Sequence, residues 1–585
     1  MGRVRSHRLA RWLAPIGALV LTAGALAGCR RGAGARIAPS GAVASEAELP
    51  SRVLGERLIW HPVHLDEQGK LLPWLSGEAP FARVQSLAWQ ALEHAPRNTE
   101  GKPAYFAHSM FEGSDPANLF VGNGWPHNPA GLAAMLVDSA LRWYAFSGDE
   151  RARTLARELV DHVLAHGLTE ATDDWVKVPY ASADAGSLEY RGADDTKPCE
   201  HHDHCGRGDG VGILEPDKIG ELGHALVMLW EATDDARYRD AAVACADALA
   251  KHVAPGDATH SPWPFRVDAK TGTDVREAYG ANVIAPIRLF DELARVGVGD
   301  VESYRRAETI ALAWLFAQPM KTGIWQSYFE DIPIHPVGEN PNQYVALETA
   351  RWLLQHPERD PDARAHAESI VAWTKATFGA DVHVDGRVEP GVWFGAEAIG
   401  EQKADDVKMT SHTARFASLL AMLHEATGEP TLRARAFRSF SWATYGCSPD
   451  GIVKVGPSDR EGFWFTDGYG DYMRHFLAGL GSVPDWAPRS ENHLVRSSSV
   501  VKRVRYAEGE LRYRTFDDRA VDRLVLRAPP HSIKVGALPM PNVDRGEGYS
   551  YRRLSSGAYL VDLRRERPGE VRVAFETNPI VETPR

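Results

Sequence analysis

Cysteine is scarce in this chain, five in 585 residues, and so few thiols exclude a small disulfide-stapled scaffold. Beyond residue 27 no apolar stretch approaches the roughly 20 residues of a membrane-spanning helix, which excludes an integral membrane body. No G-x-S-x-G, H-E-x-x-H or P-loop pattern occurs. Acyl transfer at a nucleophile elbow, zincin chemistry and nucleotide hydrolysis therefore lose their support. Cations are outnumbered, 66 Lys and Arg against 78 Asp and Glu, for a net charge of −12. Such a surface repels phosphate backbones, so no nucleic-acid partner is expected.

What is present begins with a leader. Arg3, Arg5, Arg8 and Arg11 precede an apolar run from Leu13 to Ala27 that is too short to span a bilayer. The run ends in Leu26-Ala27-Gly28-Cys29, which resembles the bacterial lipobox. That resemblance implies a signal peptide over 1–28, lipidation of Cys29 and a membrane partner through the N-terminal lipid. Arg30 lacks the acidic retention signal described for some Gram-negative inner membranes, so the expected location is extracytoplasmic, at the outer membrane. Residues 29–50 are small, polar and aperiodic, a flexible tether. Loss of the leader arginines deepens the net charge to −16.

From about 78 to 481 one unit recurs: an apolar-periodic helix, a short turn, then a second helix. The turns read FSGDERAR (146–153), EATDDARY (231–238), RVGVGDVESY (295–304), QHPERDPDA (355–363) and EATGEPTLRA (425–434). Ile219, Leu222, Leu226, Leu229 and Trp230 fall on one helical face, and Phe416, Leu419, Leu420 and Leu423 repeat the pattern. Stacked units of this kind bury faces that no single pair can cover. A first pair near 78–145 and a last helix near 468–481 bring the number to about a dozen. Six hairpins close into a mainly α (α/α)6 toroid over 51–483; an open superhelix is the rival arrangement. Long aromatic-rich connections favour closure, because they need a shared mouth to cover. After Pro484 the period changes to two: in EVRVAFE (570–576), Val571, Val573 and Phe575 alternate with Arg572 and Ala574. A β-sandwich over 484–585 follows, packed on the ring.

GKLLPW (69–74), GNGWPHNPAG (122–131), LEPDKIGELG (214–223), SPWPFRV (261–267), YFEDIP (328–333), SHTARFAS (411–418) and WFTDGYGDYMRHF (464–476) resemble loops and inner-helix starts of the six-hairpin glycosidase superfamily. The resemblance implies an (α/α)6 toroid acting on carbohydrate. It leaves the reaction open among hydrolase, lyase and epimerase.

Six segments carry candidate chemistry. With a helix starting near Gly468, Asp467, Asp471 and His475 share one face; Asp467 then suits an acid or base, Asp471 a carboxylate that orients His475, and Tyr469 a substrate contact. A helix cap with a surface ion pair is the plainer account. Pro216 suits a first helical position and Asp217 the first turn, where the helix dipole favours it; Glu215 has no such explanation. Glu330 and Asp331 follow Trp325 and precede Asn340 and Asn342; acids beside aromatic rings suit a sugar site, though an acidic loop crossing the mouth reads as well. His412 heads the stripe that holds Phe416, and His127 and Asn128 open an earlier inner helix; each is a substrate-binding or a core residue. Cys199 and Cys205 bracket Glu200, His201, His202, Asp203 and His204, for which a disulfide ranks above a free loop, and metal binding last.

The expected function is an extracytoplasmic glycoside hydrolase acting on an oligo- or polysaccharide. A protonated acid (Asp467 or Glu215) serves the leaving oxygen, and an ionised carboxylate (Asp471, Glu330 or Asp331) activates water, about 6.5–9.5 Å apart if inverting or about 5–5.5 Å if retaining. No cofactor and no metal are expected. A lyase or uronate epimerase, with Tyr469 and His412 moving protons, and a non-catalytic glycan-binding lipoprotein are the alternatives.

Overall fold

The computed structural model describes residues 52–108, 110–112, 120–121, 126–194, 209–275, 277–327, 335–379, 393–403, 405–456 and 464–575. Among these, twelve helices of more than one turn follow one another: α1 Pro80–Glu93, α2 Pro129–Ser147, α3 Glu150–His166, α4 Pro216–Thr233, α5 Ala236–His252, α6 Ile284–Val296, α7 Val301–Ala317, α8 Gln343–Gln355, α9 Ala363–Phe378, α10 Thr410–Thr427, α11 Pro430–Thr444 and α12 Thr466–Ser482. A single extra turn, Pro319–Thr322, follows α7.

The recurrent turn has a local cause. Gly148, Asp234 and Gly428 take the left-handed conformation that ends α2, α4 and α10. The next residue, Asp149, Asp235 or Glu429, then caps the following helix through its side chain. Each even-numbered helix thus folds back at once on its odd-numbered successor. The connections from odd to even helices are long, and all of them fall at the other end.

The even helices form the inner wall. α2 touches α4, α4 touches α6, and the contacts run on through α8, α10 and α12 back to α2. The ring is therefore closed, an (α/α)6 toroid, and not an open superhelix. One expectation is corrected. α1 does not form a hairpin with α2; it lies against α12 and α11, so the first and last helices of the ring complete the sixth pair. Glycines let the inner helices approach closely. A methyl group on Gly220 of α4 would stand 2.5 Å from the Pro286 nitrogen of α6. Gly220→Ala is expected to cost about 1–3 kcal/mol by overpacking, read as a lower urea midpoint.

Nine strands follow: β1 His493–Ser497, β2 Val501–Ala507, β3 Glu510–Thr515, β4 Arg519–Leu526, β5 Pro530–Val535, β6 Leu538–Pro539, β7 Gly548–Arg553, β8 Tyr559–Glu566 and β9 Val571–Phe575. They form two antiparallel sheets, β1-β4-β8-β7 and β2-β3-β9-β5-β6. Val571, Val573 and Phe575 face the shared core with Leu511, Leu524 and Leu563. These sheets dock on the short-turn end of the ring. His493 stacks on Phe146 with ring centroids 3.9 Å apart, and its Nδ1 lies 2.9 Å from the Phe146 carbonyl oxygen. Arg295 meets Asp517 at 2.6 Å, and Arg496 meets Glu425 at 2.6 Å. Among the described residues no helix is long and apolar enough to cross a membrane.

Candidate active site

Because every long connection enters an even helix, the N-termini of all six inner helices gather at one rim. Asn128, Asp217, Asn342, His412 and Asp467 all sit at such starts. The rim is where residues distant in the chain meet, and Asp217, Asn282 and Tyr344 come from three different hairpins.

The best-formed group is centred on α4. Asn282 Nδ2 donates to Asp217 Oδ2 at 3.0 Å and to Glu221 Oε1 at 3.0 Å. The two accepting oxygens are therefore no more than about 6 Å apart, since both lie at 3.0 Å from one nitrogen. The Tyr344 hydroxyl donates to the same Glu221 oxygen at 2.6 Å, and Lys218 Nζ lies 3.3 Å from the other. The two carboxyls are driven apart in acidity. Burial pushes half-buried Asp217 up to about 6, with neighbouring Glu221 adding to the shift and Lys218 opposing it. Burial alone would raise Glu221 too, but Lys218 and the hydrogen bonds from Tyr344 and Asn282 hold it below the usual range. One acid able to carry a proton beside one held ionised is the arrangement that acid–base chemistry requires.

Two hollows flank this pair. Asp217 and Asn282 line one with about 10 Å³ of open space, room for a water, together with Trp263, Pro264, Phe265 and Gly280. Trp263 is fixed there by its indole nitrogen, which donates to the Leu249 carbonyl at 2.9 Å. Glu221 and Tyr344 line the other, with about 20 Å³ of open space on the ring axis, together with Asp138, His224, Arg288 and Arg474.

The remaining expected site residues have varied fates. Asp471 is 1% exposed and tied to Arg415, to Arg474 at 2.7 Å and to His475 at 2.9 Å. Burial would raise it, yet Arg415, His475 and Arg474 hold it well below the carboxylate range. Such an anion has little drive to take a proton from water, so the structure gives Asp471 a tying role between α10 and α12. His475 completes that tie through Arg351, 3.0 Å from its Nδ1. Glu215 is fully buried, 3.9 Å from Arg266, and burial followed by Asp209 raises it well above its ordinary value. It is a neutral acid within the wall, away from either hollow.

Asn128 and Asn342 spend their side-chain oxygens capping α2 and α8, on the amides of Gly131 and Tyr344. The Tyr469 hydroxyl donates to the carbonyls of Ala88 and Gly451, both at 2.6 Å, and so points to the outer wall. Trp325 is 3% exposed and packs against Trp373, while His127 is buried against Tyr190. His412 keeps the character of a site residue. Its Nδ1 accepts from Arg415 at 2.9 Å, its Nε2 has no hydrogen-bond partner, and Glu401 lies 3.8 Å from that nitrogen. Burial, reinforced by Arg415, keeps its ring neutral. The expectations on Cys29, Cys199, Cys205, Glu330 and Asp331 lie outside the described residues, as does the side chain of Asp467. Among the described residues no group of His, Cys, Asp and Glu is placed to hold a metal ion.

Sequence reasoning passed over Glu221, Asn282 and Tyr344. One signal was present: Asp217, Lys218 and Glu221 put three charges in the first two turns of a helix whose stretch from Ala225 to Trp230 reads as core. Charges on an inner helix must find partners inside the ring.

Several buried histidines share a pH consequence. Burial holds His127 at about 3 and His162 at about 4, against 6.5 for a free ring. Below 6.5 the unfolded chain takes up protons that the folded chain refuses, so this stability is complete above that pH and is lost as pH falls toward 4. Each such ring is expected to cost about 1.4 kcal/mol per pH unit in that window. Urea midpoints between pH 7 and 4.5 measure the slope, and His162→Leu is expected to reduce it.

No protein-family model matches the sequence, and no curated protein matches it. Among solved structures, the chain is similar to a D-mannose isomerase, with TM-score 0.48 and 11% identity over 68% of this chain and 97% of that one. A family 76 glycoside hydrolase from a bovine Bacteroides thetaiotaomicron strain gives 0.45 and 9% over 72% and 84%. A sugar epimerase from a ruminal bacterium gives 0.44 and 12% over 68% and 98%. With every score under one half, the toroid assignment rests on the closed circuit of helix contacts.

Proposed function

We propose that this chain is a glycan-acting hydrolase, lipid-anchored at Cys29 outside the cytoplasm, with Asp217 as its proton donor. The observation that carries the reading is the split pair: Asp217 raised to about 6 at an aromatic-lined hollow, one helical turn from ionised Glu221. Protonated Asp217 gives its proton to the glycosidic oxygen as the bond to the anomeric carbon breaks. Glu221 supplies the negative charge opposite the oxocarbenium-like centre and forms the glycosyl ester. Asp217, now ionised, then takes a proton from the water that hydrolyses that ester. The upper bound of about 6 Å on the two oxygens suits the retaining spacing of about 5–5.5 Å. Export and anchoring rest on the basic leader and the small-residue box before Cys29.

A second reading, epimerisation or isomerisation of a sugar, draws on neutral His412 with its open Nε2 near Glu401. Its expected partner Tyr469 is committed to backbone carbonyls. Incubation with a glycan panel in D2O tests both readings. New reducing ends without deuterium at carbon support hydrolysis; deuterium incorporated without cleavage supports the second reading and overturns the first.

A further inference from the structure

Below the rim, the ring axis holds an unbalanced set of charges. Asp138 meets Arg142 at 2.6 Å and Arg474 at 3.8 Å. Glu348 is shared by Arg351 and Arg415, both at 3.4 Å, and by Arg288 and Arg474, both at 3.6 Å. Asp471 takes Arg415 and Arg474. Among the described residues, five guanidinium groups thus share three carboxylates. The carboxylates are ionised: burial would raise Asp138 and Glu348, but the arginines hold both below their usual values. His224, His412 and His475 are neutral, each through burial first. Within this described set the arginines outnumber the carboxylates by two. Nearer the rim, Lys218 faces Glu221 and the partly protonated Asp217, and Glu401 stands 3.8 Å from His412. This sits inside a chain whose net charge is −12.

The excess is focused on one side chain. Arg288, on α6, lines the axial hollow, and Glu348 at 3.6 Å is its carboxylate neighbour. Neither Arg288 nor His224, which lines the same hollow from α4, has a hydrogen-bond partner among the described residues. The hollow is narrow at its centre, the size of a small substituent and not of a whole sugar ring. A guanidinium with free donors in a partly dry chamber is a fork shaped for a carboxylate.

We propose that the axial hollow binds a carboxylate borne by the sugar substrate, received by Arg288 and His224, so that the substrate class is acidic glycans. This deepens the hydrolase reading by naming what lies next to the Asp217–Glu221 pair. The overall acidity of the protein does not oppose it, because steering acts over the outer surface whereas the chamber's field is set by the arginines around it.

Calorimetry on the whole protein tests the proposal without any turnover. Glucuronate is expected to bind at least tenfold more tightly than its neutral amide, glucuronamide, and Arg288→Gln is expected to remove that preference. Arg288→Lys, which keeps the charge on a less exacting head, is expected to restore part of it and guards against a folding artefact. His224 gives a second readout. The groups that face it are Asp138 and Arg142 from α2, Arg288 from α6 and Arg474 from α12, with Glu221 a turn away on its own helix. A bound carboxylate offsets those cations, so binding is expected to take up more protons as the pH is lowered, seen as a heat that changes with the buffer. Equal affinity for glucuronate and glucuronamide, an unchanged preference in Arg288→Gln, or binding of inorganic sulfate alone each overturns the proposal. Preferential glucuronate binding by a protein that cleaves no glycan sustains it while refuting the hydrolase reading.

Discussion

Asp217→Asn is expected to fold as the parent does and to cleave glycoside about 10²–10⁴-fold more slowly, the usual contribution of a positioned general acid. The amide keeps the shape of the side chain and accepts from Asn282 through its oxygen, losing only the acceptor that the Lys218 backbone N–H uses at 2.8 Å. What it lacks is a transferable proton. The pH profile gives the sharper signature. Asp217 acts in its protonated form and is raised to about 6 by burial, so turnover should fall about tenfold per pH unit above that value. In the variant this limb should vanish, leaving a residual rate that is flat across it. A variant that retained both the rate and the limb would remove Asp217 from the mechanism. A leaving group that needs no protonation, such as a dinitrophenolate, should recover much of the first step.

The largest loss of stability is expected from Asp471→Asn, about 3–5 kcal/mol, the range found when one partner of a buried ion pair is removed. Three donors, from Arg415, Arg474 and His475, converge on this carboxylate. Asparagine turns half of the acceptor into a fourth donor and leaves five arginines to share two anions. Urea denaturation followed by circular dichroism measures the effect, and the drop should change little with salt, because ions screen buried charges weakly. A change below about 1 kcal/mol, the range of a surface pair, would show that the axial network does not hold the ring together.

These two residues also mark what local pattern carries and what it does not. Leu222, Leu226 and Leu229 declare α4 by spacing, and Val571, Val573 and Phe575 declare β9, because each pattern is written within a few residues. The pairing of α1 with α12 leaves no such trace, since it joins the two ends of the ring across nearly 400 residues. Asp217 and Asp471 look alike in the sequence: both are acids near the start of an inner helix with an ionisable residue four positions on. Their difference lies in depth. Asp217 occupies the first turn of α4 and borders an open hollow, whereas Asp471 is one turn into α12, where arginines from α10 and its own helix enclose it. Glu215 misled for a related reason. Its unexplained position before Pro216 is real, but what explains it is Asp209 and Arg266, the latter more than fifty residues away. Asn282 bridges the pair from another hairpin, and no reading of α4 alone points to it.

The docking of the sandwich decides what closes the far end of the ring. With β1 and β2 seated on the short-turn end, through His493 on Phe146 and Tyr506 on Ala145, the toroid has a floor. The last hundred residues are thereby keyed into the hairpin ends, and ring and sandwich are expected to lose their structure in one transition.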